Sequence, residues 1–414
     1  QISCCAIGRS RLKIVQTTAS HLMRATGFFF IVALAIVGAF RLVRIHMAGG
    51  NIWITGDWII NYEGGFVRRG LAGEMLALVA GIVNLDLTVV TGLFLAVLWL
   101  LTCSAILMIW ASAPTSVGRL MVLVSPAFLA FQLWDFQGAA RKELLLFAFV
   151  SWLLVASRKL SGNPVRQWLW ILAFTICPPL LMLTHELTLF AVPFLLLILS
   201  LVAKEAKLTS AQQKFSLIGL GSSVIFAAIA IANYSGNIEQ QRLICESIQL
   251  QGGSDRLCTG ALSWVGLNPS NALGSTAAYG ESLQSIATYA ALIGLSLIPF
   301  LLFKSTKFWR SWSHGNALVF ASVGLLPLFA LGLDWGRWIH IGATMGSIIV
   351  LRFAEVFHTR PLSVRLLTRH HVSLNLLLVS LFAFGWSIDH FVGGNNSFPG
   401  PLRLAEDVGL LSRP

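Results

Sequence analysis

Charged residues in this chain gather in a few short motifs that interrupt long apolar runs. Five motifs place acids beside bases or beside a histidine: TGDWIINYEGGFVRRGLAGE at 55–74, WDFQGAARKE at 134–143, THE at 184–186, DWGRW at 334–338 and DH at 389–390. Guanidinium and ammonium groups bind phosphate oxygens, and guanidinium does so in a bidentate manner. A carboxylate or an imidazole beside them can accept the proton of a hydroxyl nucleophile. Together the motifs predict group transfer from a phosphate ester.

We assign the charged residues to three roles. The candidate proton acceptors are Asp57, Glu63, His185 and Glu186. The candidate phosphate ligands are Arg68, Arg69, Arg141, Lys142 and Arg337. The supporting residues are Tyr62, Asp135, Glu143 and Asp334.

The sequence does not require a cofactor. It contains no Walker A loop and no GxGxxG after a strand, so it does not predict the use of a soluble nucleotide. Asp57, His185, Glu186 and Asp334 can gather a divalent ion, but no ligand spacing demands one. We therefore predict no cofactor and leave the use of a divalent metal open.

Each motif also has a structural interpretation that the sequence leaves open. Arg68 and Arg69 can extend to lipid headgroups, and Asp334 and Arg337 stand three residues apart, as in a local surface pair. Other acids can simply neutralise neighbouring bases, THE can be a solvated turn, and DH can be a solvated helix end. The flanking tryptophans are typical of an aromatic belt. The functional interpretation depends on the motifs meeting in one polar cavity.

The composition places these motifs in a membrane protein. Of 414 residues, 56% are hydrophobic and 11% are charged, whereas soluble domains have about 25% charged residues. This balance excludes soluble enzymes, disordered proteins and fibrous proteins. The formal net charge of +12 then indicates basic cytoplasmic loops rather than nucleic-acid binding.

The apolar runs are continuous rather than alternating, which predicts an all-α polytopic transmembrane helical bundle. We expect a single integral membrane domain over 1–414 with eleven spans. The predicted spans are 27–45, 88–111, 118–134, 143–157, 168–184, 187–203, 216–234, 286–303, 316–333, 339–356 and 372–388. The run 71–84 is too short to span and is predicted to form an interfacial helix.

Lysine and arginine are concentrated in alternate loops, which predicts a cytoplasmic N-terminus and an outer C-terminus. The outer segments are then the first outer loop 46–87, the long loop 235–285 and the tail 389–414. All five charged motifs fall on this face. No cleavable signal is evident, because Arg41 and Arg44 follow the first apolar run.

The long loop contains Cys245 and Cys258. In an oxidising compartment they can form a disulfide, and two free thiols are the alternative. From its length and position, we expect this loop to fold over the cavity as a lid or an acceptor-binding element.

The layout resembles that of the GT-C membrane glycosyltransferases, which use polyprenyl-phosphate sugars. Asp57 takes the place of the first-loop acid of that class, with Glu63 as a rival. The GGFVRRG, RKE, HE and DWGRW elements also resemble bacterial membrane proteins of surface-polysaccharide assembly, including Wzy-type polymerases of O-antigen or exopolysaccharide. A DxD motif and a large soluble C-terminal domain are missing, which favours a polymerase or a small single-sugar transferase.

The resemblance implies a multi-pass glycosyltransferase of the bacterial inner membrane whose site faces the periplasm. Its expected partners are a polyprenyl-phosphate- or pyrophosphate-linked sugar, a glycan acceptor and the lipid bilayer, with no nucleic acid. A transporter or flippase of an anionic lipid-linked sugar is the alternative, and a non-catalytic scaffold is a third. Two features favour the enzyme over the transporter. The charged residues lie at one end of the predicted spans rather than along a path through them, and the sequence contains no repeated halves.

Overall fold

The computed structural model describes residues 2–234, 236–266, 283–301, 315–353 and 369–391. Every regular element in these residues is a helix, which confirms the all-α prediction. The α-helices are α1 Ile2–Met47, α2 Ile54–Trp58, α3 Gly70–Val83, α4 Leu87–Ala111, α5 Val117–Leu123, α6 Phe131–Trp134, α7 Glu143–Ser157, α8 Pro164–Thr184, α9 Val192–Ala206, α10 Ser210–Asn233, α11 Ile238–Leu250, α12 Leu283–Leu301, α13 Gly315–Val323, α14 Leu326–Leu331, α15 Trp335–Arg352 and α16 Arg369–Phe384. The 3-10 helices are Glu186–Ala191, Asp255–Cys258 and Leu262–Val265.

Six helices in the described ranges are long and apolar enough to cross a membrane, so the chain is a membrane protein with several spans. These are Ser20–Met47, Leu87–Ala111, Pro164–Thr184, Glu186–Ala206, Ser210–Asn233 and Leu283–Leu301. The predicted count of eleven is therefore not confirmed. The ends of the predicted spans 286–303 and 339–356, residues 267–282 of the long loop and residues 392–414 of the tail lie outside the described residues.

Hydrogen bonds between helices define the direction in which each helix runs. Trp99 and Trp110 of α4 donate to the carbonyls of Leu34 and Arg24, so α4 is antiparallel to α1. Helices α7 and α15 run parallel to α4. Hydrogen bonds join earlier residues of α7 to earlier residues of α4 and later residues to later ones, and the same holds between α15 and α7. Helix α8 returns beside α7 and ends near its start. Thus α1 and α8 end, and α4, α7 and α15 begin, at one end of the bundle, which we call the charged end.

The opposite end of the bundle contains two buried arginines that bind helix C-termini. Arg119 donates to the carbonyls of Ile109 and Leu351, which lie near the ends of α4 and α15. Arg352 donates to the Leu154 carbonyl at 3.0 Å and pairs with Glu205 at 2.8 Å. Arginine in this position supplies donors to the last carbonyls of a helix, which have no partner within the helix.

Residues 118–134 do not form the single span that the sequence predicts. They fold as α5, a series of turns around Pro126, and the four-residue α6. Proline cannot donate the N–H that a continuing helix requires. Every residue from 119 to 136 is buried among other elements. High hydropathy in this stretch therefore reflects burial inside the protein rather than the length of a membrane span.

A short apolar helix does form where the sequence predicts one, at 71–84. Helix α3 has 14 residues and buries Leu76 and Ala80 on one side. On its other side Met75 and Ile82 are exposed, Ile82 by 74%. The exposed apolar side of α3 is therefore open to contact with lipid or with another protein.

Residues 236–266 pack on the segment that contains α2. Cys245 and Cys258 form a disulfide with their Cα atoms 5.5 Å apart, so the alternative of two free thiols is wrong. Asn61 Nδ2 donates to Ser247 Oγ at 2.8 Å, and the 3-10 helix Asp255–Cys258 contacts α2. The disulfide therefore stabilises the surface against which α2 rests.

Loss of this disulfide should destabilise the protein. Cys258→Ala opens a loop with a sequence separation of 13, and we expect the free energy of unfolding to fall by about 3 kcal/mol in the chain-entropy model. Thermal unfolding in detergent, with and without reductant, measures the change. Cys177→Ala is the control, because Cys177 is a free thiol in α8. Equal stability of Cys258→Ala and the wild type would contradict this role for the disulfide.

Candidate active site at the charged end

Asp57 is the most unusual side chain at the charged end. It is fully buried, and neither of its carboxylate oxygens has a hydrogen-bond partner among the described residues. Arg69 Nη1 and Arg141 Nη1 each lie 4.0 Å from one of these oxygens. Burial raises the pKa of Asp57, but the surrounding positive charges, beginning with Lys142, outweigh it and hold the pKa well below its usual range. Asp57 is therefore ionised, with its hydrogen-bonding capacity unused.

Asn51 and Trp58 fix the short helix that presents Asp57. The Asn51 side-chain oxygen accepts hydrogen bonds from the N–H groups two and three residues ahead, at 2.8 and 3.0 Å. Its own N–H donates to Thr55 Oγ1 at 2.8 Å. Such caps supply partners for the first N–H groups of a helix. At the other end, Trp58 Nε1 donates to the Ala140 carbonyl at 2.7 Å. Asp57 is thus held between two anchored positions.

Arg69 connects the first predicted outer loop to the THE motif. Its Nε donates to both oxygens of Glu186 at 2.7 Å, and its Nη2 completes a bidentate pair with the same carboxylate. The φ of Arg69 is 71°, a left-handed conformation at the entry to α3. Lys142 Nζ donates to the Arg69 carbonyl at 2.5 Å. Three motifs that are distant in sequence therefore meet here.

Arg337 binds the acids on the other side of the cluster. It donates to both oxygens of Glu143, at 2.7 and 2.9 Å, and to Asp334 at 2.6 Å. Its Nη2 also lies 2.9 Å from His185 Nε2. A guanidinium only donates, so His185 Nε2 accepts this bond. His185 Nδ1 lies 3.5 Å from a Glu186 oxygen and 3.5 Å from the Leu187 nitrogen. Burial lowers the pKa of His185, which agrees with a neutral ring.

The cluster contains equal numbers of cationic and anionic groups. Its cations are Arg69, Arg141, Lys142 and Arg337, and its anions are Asp57, Glu143, Glu186 and Asp334. Buried charge is costly unless opposite charge compensates it. Burial lowers the pKa of Lys142 to about 8. The overall balance explains how so many ionisable groups can lie together in a largely apolar protein.

Three predicted residues of the first outer loop do not join this ion-pair network. Glu63 is exposed. The Tyr62 ring stacks on Phe66 with ring centroids 5.0 Å apart. Arg68 is half-buried beside the cluster, and its backbone N–H donates to the Tyr234 carbonyl at 2.9 Å. The structure therefore separates Arg69, which enters the cluster, from its neighbour Arg68.

Asp135 binds the segment that follows α16. Its carboxylate accepts hydrogen bonds from the N–H groups of His390 and Gly138, at 2.6 and 3.0 Å, and lies 2.8 Å from His390 Nδ1. Ligand atoms of Asp135, Asp389 and His390 lie within 4.8 Å of one another, a spacing that can hold a metal ion. The contacts seen here give Asp135 an anchoring role for the chain near 389–391.

Sequence reasoning missed two polar residues near the cluster, Gln132 and His340. Gln132 Oε1 accepts the Ala140 N–H at 2.6 Å, and Gln132 Nε2 lies 3.0 Å from His340 Nε2. Both residues fall inside runs predicted as spans. Their signal in the sequence was a polar side chain within an apolar run, which is costly in lipid and marks a buried polar network or a functional site.

These helices and the buried charged network define an integral membrane protein with a polar centre at one end of its bundle. The chain belongs to the family described as uncharacterised membrane protein Rv1490, whose sequence model matches residues 26–261. The match includes Asp57, Arg69, Arg141 and His185 and ends before Arg337. No curated protein and no solved structure matches the chain. None of these comparisons connects it with glycosyltransferases.

Proposed function

We propose that this protein is a membrane glycosyltransferase, which transfers or polymerises sugar units from a polyprenyl-phosphate- or pyrophosphate-linked donor onto a glycan acceptor. The observation that supports this most is Asp57, a buried carboxylate without a hydrogen-bond partner in the described residues and 4.0 Å from two guanidinium groups. This arrangement suits a reaction in which a hydroxyl loses its proton while a phosphate leaves.

Asp57 is the proposed general base, because the other candidate acceptors are engaged or remote. Arg69 binds Glu186 through both carboxylate oxygens. His185 Nε2 accepts a bond from Arg337. In the proposal Asp57 takes the proton of the acceptor hydroxyl. Glu186 orients Arg69, and His185 orients Arg337.

Arg141 and Lys142 are the proposed phosphate ligands. Arg141 Nε donates to the Gln137 carbonyl at 3.2 Å, while its Nη1 stands 4.0 Å from Asp57, beyond hydrogen-bond distance. The guanidinium therefore keeps donor capacity for phosphate oxygens. Lys142 adds a second positive charge from the same turn. Such cations stabilise the negative charge that develops on a leaving phosphate.

Donor binding would strengthen Asp57 as a base. In the resting protein the neighbouring cations hold the pKa of Asp57 low, so its carboxylate attracts a proton weakly. A phosphate placed among these cations offsets their charge and raises the pKa of Asp57. Base strength would then follow occupancy by the donor, which limits proton transfer in the absence of substrate.

The proposed location is a bacterial inner membrane, with the N-terminus inside and the charged end facing the periplasm. Concentration of lysine and arginine in alternate loops supports this orientation. The Cys245–Cys258 disulfide supports it independently, because disulfides persist in oxidising compartments and this one lies against the element that presents Asp57. The proposed donor would reach the site from the outer leaflet.

Undecaprenyl phosphate is a direct probe of the proposed phosphate ligands. Wild-type protein in nanodiscs of zwitterionic lipid should bind it, and Arg141→Ala should weaken binding by about tenfold or more, as expected for a lost hydrogen bond to a charged group. Undecaprenol, which lacks the phosphate, should bind poorly to both.

Arg242→Ala is the matched control for this experiment, because Arg242 pairs with Glu239 and Glu246 on an exposed surface. Its affinity for the probe should equal that of the wild type. Equal binding by the wild type and Arg141→Ala would contradict the assignment of Arg141. Movement of the lipid across the bilayer without formation of a glycan would favour the transporter or flippase instead.

The lowered pKa of Lys142 predicts how the binding of undecaprenyl phosphate depends on pH. Burial lowers the pKa of Lys142 to about 8, so the ammonium is charged below that pH and neutral above it. Affinity for undecaprenyl phosphate should therefore fall as the pH rises through about 8. Lys142→Arg keeps its charge, so the fall should disappear. Affinity for undecaprenyl phosphate, measured from about pH 6.5 to about pH 9.5, tests the effect. An equal fall in the wild type and in Lys142→Arg would contradict the assignment of this pH dependence to Lys142.

A further inference from the structure

A chain of hydrogen bonds crosses the interior from Ala127 to Trp58. His340 Nδ1 lies 2.9 Å from the Ala127 carbonyl, and His340 Nε2 lies 3.0 Å from Gln132 Nε2. Gln132 Oε1 accepts the Ala140 N–H at 2.6 Å. The Ala140 carbonyl accepts Trp58 Nε1–H at 2.7 Å. All five residues are buried.

The backbone groups of Ala127 and Ala140 determine which atom donates and which accepts in each of these hydrogen bonds. A carbonyl only accepts, so His340 Nδ1 carries the ring proton and Nε2 carries a lone pair. The Ala140 N–H only donates, so Gln132 uses its oxygen there and its amide N–H faces His340 Nε2. A charged imidazolium would place one donor against another. The chain therefore requires a neutral His340.

The surroundings of His340 also favour the neutral ring. The Phe131 ring stacks on it with centroids 4.1 Å apart, and the Phe147 ring packs edge-on at 5.4 Å. The charged groups that act on the imidazole are Glu143 of α7, Arg337 of its own helix and Asp135 of the turn after α6.

Ala140 is the point at which this chain meets the site. Its φ is 53°, a left-handed conformation that is unfavourable for a residue with a Cβ. Gln132 holds its N–H, and Trp58 holds its carbonyl. The residues that follow Ala140 are the proposed phosphate ligands, and the residue before Trp58 is Asp57.

We propose that Gln132 and His340 are positioning residues, which act through Ala140 to hold Arg141 and Lys142 opposite Asp57. The inference rests on the proposed function, because it assigns these two buried residues to the phosphate side of that site. They touch no substrate in this proposal. Their effect is to keep a strained turn in the conformation that directs two cations toward the base.

Two substitutions of Gln132 test this role. Gln132→Leu removes both hydrogen bonds, and we expect affinity for undecaprenyl phosphate to fall about tenfold at about pH 7.5 and at about pH 5.5. Gln132→Glu keeps the acceptor for Ala140, and near pH 5.5 a proton can bridge the introduced carboxylate and the imidazole. At that pH its affinity should return to within about twofold of the wild type. Thr344→Val is the control. It removes a side contact of His340, in which Thr344 Oγ1 lies 3.2 Å from Nδ1, and it leaves every hydrogen bond between Ala127 and Trp58 in place.

Hydrogen exchange of the peptide that covers 135–142 separates this inference from the proposed function. Exchange should accelerate in Gln132→Leu and stay at the wild-type rate in Thr344→Val. If the wild type does not bind the probe but exchange changes as expected, the proposed function fails while the positioning of Ala140 stands. If Arg141→Ala abolishes binding while Gln132→Leu changes neither binding nor exchange, the positioning role is wrong. Equal loss of affinity in Gln132→Leu and Gln132→Glu at about pH 5.5 would also overturn it.

Discussion

Asp57→Asn should stop sugar transfer while improving the binding of the donor lipid. An amide cannot accept the proton of a hydroxyl nucleophile, and removal of a general base typically lowers rates by about 10²–10⁴-fold. The same change removes a negative charge that stands 4.0 Å from the proposed phosphate ligand Arg141. Undecaprenyl phosphate should therefore bind more tightly to Asp57→Asn than to the wild type. The measurements are sugar incorporation by membranes of a strain that lacks the gene and carries the variant, and probe binding by the purified protein.

Glu63→Gln is the matched control, because Glu63 is an exposed acid in the same loop. It should leave both sugar incorporation and probe binding at wild-type levels. Loss of incorporation in Glu63→Gln with normal incorporation in Asp57→Asn would transfer the role of base to Glu63. Normal incorporation in both variants would remove the acid of this loop from the mechanism.

Arg337→Met should be the most destabilising single change at the charged end. It leaves Glu143, which is 2% exposed, without its bidentate partner, and it also removes the partner of Asp334. Removal of one partner from a buried ion pair typically costs about 3–5 kcal/mol, because the remaining charge is uncompensated. We expect a large fall in the thermal unfolding midpoint in detergent.

The added substitution Glu143→Gln should restore part of the stability lost in Arg337→Met, because it removes the uncompensated charge. Arg242→Met is the control. Its ion pairs are exposed at the surface, so no measurable change in the midpoint is expected. A midpoint for Arg337→Met equal to that of the wild type would show that the buried pair contributes little to the fold.

The meeting of the charged motifs could be predicted from their side of the bundle. Polar clusters at corresponding ends of apolar helices must share one face, and Asp57, Arg69, His185 and Arg337 do lie together. Their pairings could not be predicted. The left-handed backbone of Arg69 turns it toward Glu186, whereas Arg68 stays outside, and no local sequence signal distinguishes the two arginines.

The all-helical class can be predicted from the sequence more readily than the number of spans. Hydropathy measures how apolar a run is, and it cannot tell a span from a broken segment buried by other helices. Residues 118–134 show the difference, since turns around Pro126 divide them into two short helices. The same uncertainty concealed Gln132 and His340, because each was placed in a run assigned to lipid rather than to a packed interior.

Contacts between distant parts of the chain bear on the order in which the protein is made. Asn61 bonds a residue 186 positions later, and Glu143 bonds one 194 positions later. At about 5–20 residues per second, a ribosome needs roughly 10–40 s to supply each partner. During that delay these contacts cannot form. The surface against which α2 rests is therefore completed well after Asp57 itself is synthesised.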